Sequence, residues 1–205
     1  NKKTGSTTVA ATMICAKLAD INVFATGGIG GVHKNVSETM DISADLNELS
    51  RTNVSVIAAG PKAILDIPRT LEVLETLGVP VISYQSNQIP AFWSRNSGLE
   101  ASIQMNRLSE IADFINSRDI IGLSGGCLIA NPVPKKDEIS LELMTPIIQK
   151  ALDKAETNKI SGKALTPFLL AEIFELTNGK SLDTNISLIK NNAKVAAELS
   201  VLLNV

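Results

Sequence analysis

The sequence predicts an α/β fold, an α/β/α sandwich around a mostly parallel central sheet with a helical C-terminal part. Three observations lead there. Apolar runs recur at residues 21–25, 54–59 and 80–84 without polar alternation, as in strands buried on both faces. Segments of helical period lie between them, joined by short connections. After Asn131-Pro132-Val133-Pro134 the pattern turns to helices and stays so to the end.

Taken in order, Thr8 to Leu18 has apolar residues at Val9, Met13 and Ala16, with Thr7 or Thr8 as cap. A strand follows at 21–25, then a short helix from Ser43 to Leu49 with Asp41 or Ser43 near its start. The strand at 54–59 leads into a helix striped by Ile67, Leu71, Leu74 and Leu77 and closed by Gly78. Residues 80–84 form the next strand, and a helix at 108–115 and a strand at 123–130 continue the alternation. Helices are expected at 141–155, at 167–176 with Thr166 as cap, and at 185–203 with Ile189, Ala193, Ala196, Leu199 and Leu203 on one side. No linker, repeat or low-complexity block interrupts residues 1–205, which read as a single domain.

Composition narrows the function classes. With 44% hydrophobic and 20% charged residues the chain is expected to bury one sizeable core, and a net charge of −2 gives no footprint for nucleic acid. No apolar run approaches the roughly 20 residues needed to span a bilayer, and no secretory signal opens the sequence. Cys15 and Cys127 have no paired spacing, so neither a disulfide framework nor a zinc site is expected, and a reducing, cytoplasmic setting fits. The start on Asn1, without an initiating methionine, predicts a truncated or processed segment.

Chemistry is concentrated early in the chain. Gly27-Gly28-Ile29-Gly30-Gly31 follows a predicted strand and ends at His33, the only histidine. Its spacing is neither the dinucleotide fingerprint nor a P-loop; it forms either an anion nest or a tight loop. His33 reads equally as a ligand contact or a hydrogen-bonded structural imidazole. Asp41 and Asp45 are four apart and serve either as hard-cation ligands or as helix N-terminal acids; Ser43 divides between cap and phosphate contact. Free N–H groups at Thr7-Thr8-Val9 offer a phosphate site, though many helices present them idly. Lys62 falls just beyond the C-terminal end of a strand, where open α/β sheets bind ligands, and is either a solvated loop residue or an amine desolvated for attack on an aldehyde carbon. The amides Asn131, Asn185, Asn191 and Asn192 suit uracil-like edges, which both donate and accept. Trp93, beside Phe92, reads as a packing anchor.

The ordered set TVAATM, FATGGIGGVH, ETMDISADLNEL, AAGPKAILDIPRTLEVLETLGVPVISYQ, PAFW, ANPVP, GKALTPFLLAEI and TNISLIKNNAKVAAEL resembles the pseudouridine-5′-phosphate glycosidase family over nearly the whole chain. The resemblance implies a cytoplasmic homotrimer that uses manganese and reversibly cleaves the C–C glycosidic bond of pseudouridine 5′-phosphate to uracil and ribose 5-phosphate. The paired-carboxylate chemistry of ordinary glycosidases does not suffice for a C–C bond, which offers no heteroatom to protonate. The family instead opens the ribose ring and forms a lysine adduct at C1′. By motif, Lys62 corresponds to that lysine, Asp41 to the metal ligand, and Ser43, Ala44 and Asp45 to a substrate-binding segment. Val9 corresponds to a backbone contact, and Thr26, His33 and Asn185 fall where the family lines its pocket. Members carry a further N-terminal region, with a glutamate proton donor and a second substrate-binding lysine, that has no counterpart in these residues. A 205-residue polypeptide alone is therefore expected to bind ribose 5-phosphate with crippled turnover. The competing readings are a Schiff-base aldolase acting on a sugar phosphate, which would ignore uracil, and a non-catalytic sugar-phosphate-binding module, which would form no covalent adduct.

Overall fold

The computed structural model describes residues 7–160 and 162–203; the expectation about the start at Asn1 lies outside them. Five parallel strands, β1 (Val23–Ala25), β2 (Ser55–Ala58), β3 (Val81–Tyr84), β4 (Ile103–Met105) and β5 (Leu128–Ala130), form one sheet in the order β1-β2-β5-β3-β4. Side chains of successive strand residues point to opposite faces. Val56 and Leu128 accordingly join Met13, Leu46, Leu49 and Leu74 on one side, under α1 (Val9–Leu18), α3 (Ala44–Arg51) and α4 (Ile67–Thr76). Ile57, Ile82 and Ile129 point the other way, to Ile111, Val195 and Leu199 of α5 (Leu108–Ile120) and α8 (Lys180–Leu202). The α/β/α sandwich expected from the apolar runs is the fold.

A helical annex distinguishes the C-terminal part. Here α6 (Leu141–Thr157), α7 (Leu165–Leu176) and Leu188 of α8 close around Ile64, Leu65, Phe92 and Trp93, residues of the loops that leave the C-terminal ends of β2 and β3. Trp93 is the expected packing anchor: it is buried, meets Phe92 edge-on at 4.9 Å, and its Nε1 donates to the Ser181 carbonyl of α8 at 3.0 Å. Trp93→Phe removes that bond and part of the ring volume. Equilibrium unfolding in urea is expected to show a loss of about 2 kcal/mol.

Several boundaries differ from the sequence reading, each for a physical reason. The strand expected at 123–130 is only Leu128–Ala130, because Gly125 (φ 84°) and Gly126 run tightly against the backbone near Leu49 and Ser50, where Gly126 donates to the Leu49 carbonyl. Edge strand β4, three residues long with Gln104 at its centre, carries too little apolar pattern to be legible in the sequence, as does the single turn α2 (Val36–Thr39). Thr166 does not cap α7; Ala164 does, after a 3₁₀ turn at Gly162–Ala164. Helix α8 starts at Lys180, five residues early, because its polar first turns are held by Thr184 and Ser187 bonding to Asp137. Its buried stripe runs through Leu188, Asn192, Val195, Ala196 and Leu199: Ala196 and Leu199 fall on the side expected, whereas Ile189 and Ala193 are exposed and Leu188, Asn192 and Val195 take the buried positions.

Candidate active site

The loops after β1 and β2 are stitched into one floor at the C-terminal edge of the sheet. The amide of Ala59 donates to the Gly27 carbonyl (2.9 Å), Ile29 to Gly60 (3.2 Å) and Lys62 to Ile29 (3.1 Å), so the lysine backbone is fixed to the glycine loop on both sides of Pro61. The glycines of this loop serve proximity. None of the residues Gly27, Gly28, Gly30 and Gly31 has positive φ, but a methyl on Gly28 would lie 2.7 Å from the Phe92 ring and one on Gly30 2.8 Å from Asp45 Oδ2. The sharp turning expected of them falls to Gly60, at φ 79° with its α-carbon against the Pro90 carbonyl.

Above this floor opens a hollow of about 460 Å³ whose walls include Val9, Thr26, His33, Ser43, Asp45, Lys62 and Asn185. Seven of the nine residues that the family resemblance assigns to the site are thus brought together. Lys62 is half-buried, and among the described residues its amine has neither an ion-pair nor a hydrogen-bond partner. Asn185 Oδ1 is buried with no hydrogen-bond partner among the described residues, a position that native structures rarely leave unfilled without a ligand or water. The first turn of α1 faces the same space: Thr8 Oγ1 caps the Ala11 amide, and the Ala10 amide is bonded to Asp45.

Asp45 is 5% exposed and both its oxygens are engaged, Oδ1 by Ala10 N–H (2.9 Å) and Oδ2 by Gly30 N–H (2.7 Å). It therefore clamps the start of α1 to the glycine loop. Ser43 caps α3 by accepting from the Asp45 amide (3.2 Å), and Ala44 is exposed and is not a wall of the hollow. The two carboxylates do not share a helical turn, because α3 begins only at Ala44 and Asp41 lies outside it. Asp41 lines a neighbouring hollow of about 440 Å³, with His33 and Ile64 shared between the two spaces. His33 Nε2 stands 3.8 Å from Asp41 Oδ2, and its backbone N–H donates to the Asp41 carbonyl.

The amides divide. Only Asn185 lines the hollow; Asn131, Asn191 and Asn192 bond within the protein, to Asn192, Pro132 and Thr26 respectively. Phe92, Leu170 and Ile189 supply apolar wall that sequence reading did not assign to the site, because each sits on a separate element and only the fold gathers them. Cys127 is no rival nucleophile: it is buried behind the sheet, and desolvation pushes its thiol pKa up. Among the described residues no group of three or more His, Cys, Asp or Glu side chains stands ready to hold a metal ion. Asp41 with His33 beside it suits a hydrated divalent ion held through one carboxylate rather than a closed structural site.

The profile of the family described as "Indigoidine synthase A like protein" matches residues 1–202. The chain is 58% identical over 198 residues to a pseudouridine-5′-phosphate glycosidase of Paracoccus denitrificans, covering 97% of this chain and 65% of that protein. A protein of the same name from Methylobacterium nodulans is 57% identical over 199 residues, covering 97% and 59%. This chain thus spans about three fifths of the length of these relatives. Among solved structures, the prealnumycin C-glycosynthase AlnA in complex with ribulose 5-phosphate superposes with a TM-score of 0.91 at 34% identity, over 97% of this chain and 66% of that one. An indigoidine synthase A-like protein of Thermotoga maritima gives 0.87 at 34% identity, over 97% and 65%.

Proposed function

Because the chain belongs to the family described as Indigoidine synthase A like protein, we propose that its hollow makes and breaks the C–C glycosidic bond of pseudouridine 5′-phosphate through a covalent adduct at Lys62. The observation that carries the proposal is an amine without a partner among the described residues, facing the same 460 Å³ space as an amide oxygen equally without one there and a helix N-terminus. A phosphate is attracted to the first turn of α1, where N–H groups point outward and the helix dipole is positive. An unpaired carbonyl oxygen calls for an N–H donor, and uracil carries two, so Asn185 Oδ1 is assigned to the base.

Between these ends, Lys62 reaches C1′. In synthesis its amine adds to the C1′ aldehyde of ring-opened ribose 5-phosphate and expels water, leaving an iminium. Uracil C5 attacks C1′, the C5 proton leaves, and the sugar 4′-hydroxyl displaces the lysine to close the ring. In cleavage the steps reverse: with C5 protonated, the nitrogen lone pair forms the C=N bond while the electron pair of the breaking C1′–C5 bond passes into the uracil ring. Apolar walls from Phe92, Leu170 and Ile189 exclude the water that would hydrolyse the iminium early. Asp45 is the one carboxylate lining the hollow among the described residues, and its engaged oxygens leave it a clamp rather than a proton donor. The acid for ring opening is assigned to a group outside the described residues.

A divalent cation, manganese by the resemblance, fits Asp41 with water completing its shell. Held there, across His33 from the substrate's hollow, it would supply positive charge toward an anionic substrate. Asp41→Asn is expected to weaken Mn²⁺ binding at least about tenfold, read by titration of the metal signal in electron paramagnetic resonance. Unchanged affinity would remove Asp41 from the cation site. A homotrimer and a cytoplasmic location belong to the same reading; exposed Leu18, Ile120 and Ile121 supply apolar surface for association, and no described helix is long and apolar enough to cross a membrane.

The proposal is tested by incubating the purified protein with ribose 5-phosphate, with and without uracil, and separating the products. Uracil-dependent formation of pseudouridine 5′-phosphate, and its cleavage in the reverse assay, is the expected result. Aldol products formed regardless of uracil, or no covalent chemistry at all, would overturn it in favour of an aldolase or a binding module respectively.

A further inference from the structure

A buried pair of amides ties the hollow to the sheet. Asn192, fully buried in the middle of α8, donates from Nδ2 to the Thr26 carbonyl at 2.7 Å. Its Oδ1 accepts from Nδ2 of Asn131 at 2.9 Å, and Asn131 is itself 4% exposed just after β5. One side chain thereby joins the end of β1, the end of β5 and the long helix. A leucine of similar size would fill this space with no polar atom to satisfy, whereas a buried amide is costly unless its partners are in place. What the amides add is direction, because a hydrogen bond fixes position and roll in a way that apolar packing does not.

That direction matters seven residues upstream. Asn185, Ile189 and Asn192 are spaced i, i+4 and i+7, which puts them on one face of α8. The first two line the hollow, and a methyl on Gly27 would lie 3.4 Å from Asn185 Oδ1. Anchoring Asn192 to Thr26 therefore sets how far Asn185 stands from the loop that begins at Thr26.

We infer that Asn192 is a positioning residue for the heterocyclic base: acting through Thr26 and Asn185, it holds the unpartnered amide oxygen at the distance a uracil N–H requires. This rests on the reading that the hollow takes uracil and ribose 5-phosphate. The phosphate end and Lys62 are fixed by other bonds, through Asp45 and Ile29, and are independent of it.

The test compares wild type, Asn192→Asp, Asn131→Ala and Asn191→Asp in two measurements: the KM for uracil in synthesis, and the yield of borohydride-trapped adduct with ribose 5-phosphate alone. Asn192→Asp keeps shape and the Asn131 bond but turns a carboxylate oxygen toward the Thr26 carbonyl. Its uracil KM is expected to rise about tenfold or more, with adduct yield at the wild-type level. Asn131→Ala, which leaves the Thr26 bond intact, is expected to raise KM about threefold and carries the test if Asn192→Asp does not fold. Asn191→Asp, whose amide bonds elsewhere, is expected to match wild type. A uracil KM within about twofold of wild type in the folded Asn192 and Asn131 variants overturns the inference. So does a parallel fall in adduct yield, which marks a merely structural role. Wild type that forms neither adduct nor product instead overturns the functional reading, and this inference with it.

Discussion

Replacing Lys62 with alanine is expected to lower synthesis and cleavage of pseudouridine 5′-phosphate by at least about 10⁴-fold while leaving the fold intact. The side chain lines a hollow and makes no ion pair or hydrogen bond among the described residues, so truncating it leaves no buried partner stranded. The backbone bond to Ile29 survives the change. Lys62→Arg keeps the charge but cannot form an imine, and is expected to be as inactive as alanine, which separates covalent catalysis from attraction of the phosphate. Steady-state rates, with circular dichroism as the check on folding, decide it. An arginine variant retaining a tenth of wild-type turnover would place the chemistry elsewhere.

Asp45→Ala is expected to have the largest structural effect of any polar substitution in the site, a loss of about 3 kcal/mol in urea unfolding. The amides of Ala10 and Gly30 lose a charged acceptor at 2.9 and 2.7 Å in a place that is 5% exposed, and water reaches them poorly. The carboxylate also holds the first turn of α1 over the glycine loop, so the phosphate end of the hollow is expected to loosen and the KM for ribose 5-phosphate to rise. Asp45→Asn accepts one of the two bonds and should fall between. A loss under about 1 kcal/mol for alanine would mean that the two amides find other partners.

The sandwich was legible because its determinants are local: apolar runs such as Val54 to Ala59 and the stripe of Ile67 and Leu74 state burial and period directly. The site was legible in part, since Lys62, the glycine loop and the α1 start all lie at strand ends or helix ends, where sequence position predicts role. What remained hidden depends on contacts across the fold. Asp45 reads as an N-terminal acid of α3, and its second task, clamping α1 to Gly30, appears only when residues 15 and 35 positions away are beside it. Asn192 has polar chemistry in a buried stripe, so hydrophobic periodicity found Ala196 and Leu199 but put Ile189 and Ala193 where Leu188, Asn192 and Val195 are buried. Asp41 and Asp45 looked like a pair from their spacing, but Ser43 caps the helix between them and sends the two carboxylates to different hollows.

The central claim, that the amine at position 62 captures the opened sugar, is tested most directly by borohydride reduction in the presence of ribose 5-phosphate, followed by proteolysis and mass mapping. The account predicts one stable pentitol-phosphate adduct per chain, on the peptide carrying Lys62, absent from Lys62→Arg. An adduct on another lysine, or reduction that leaves the protein unmodified while turnover proceeds, would contradict it.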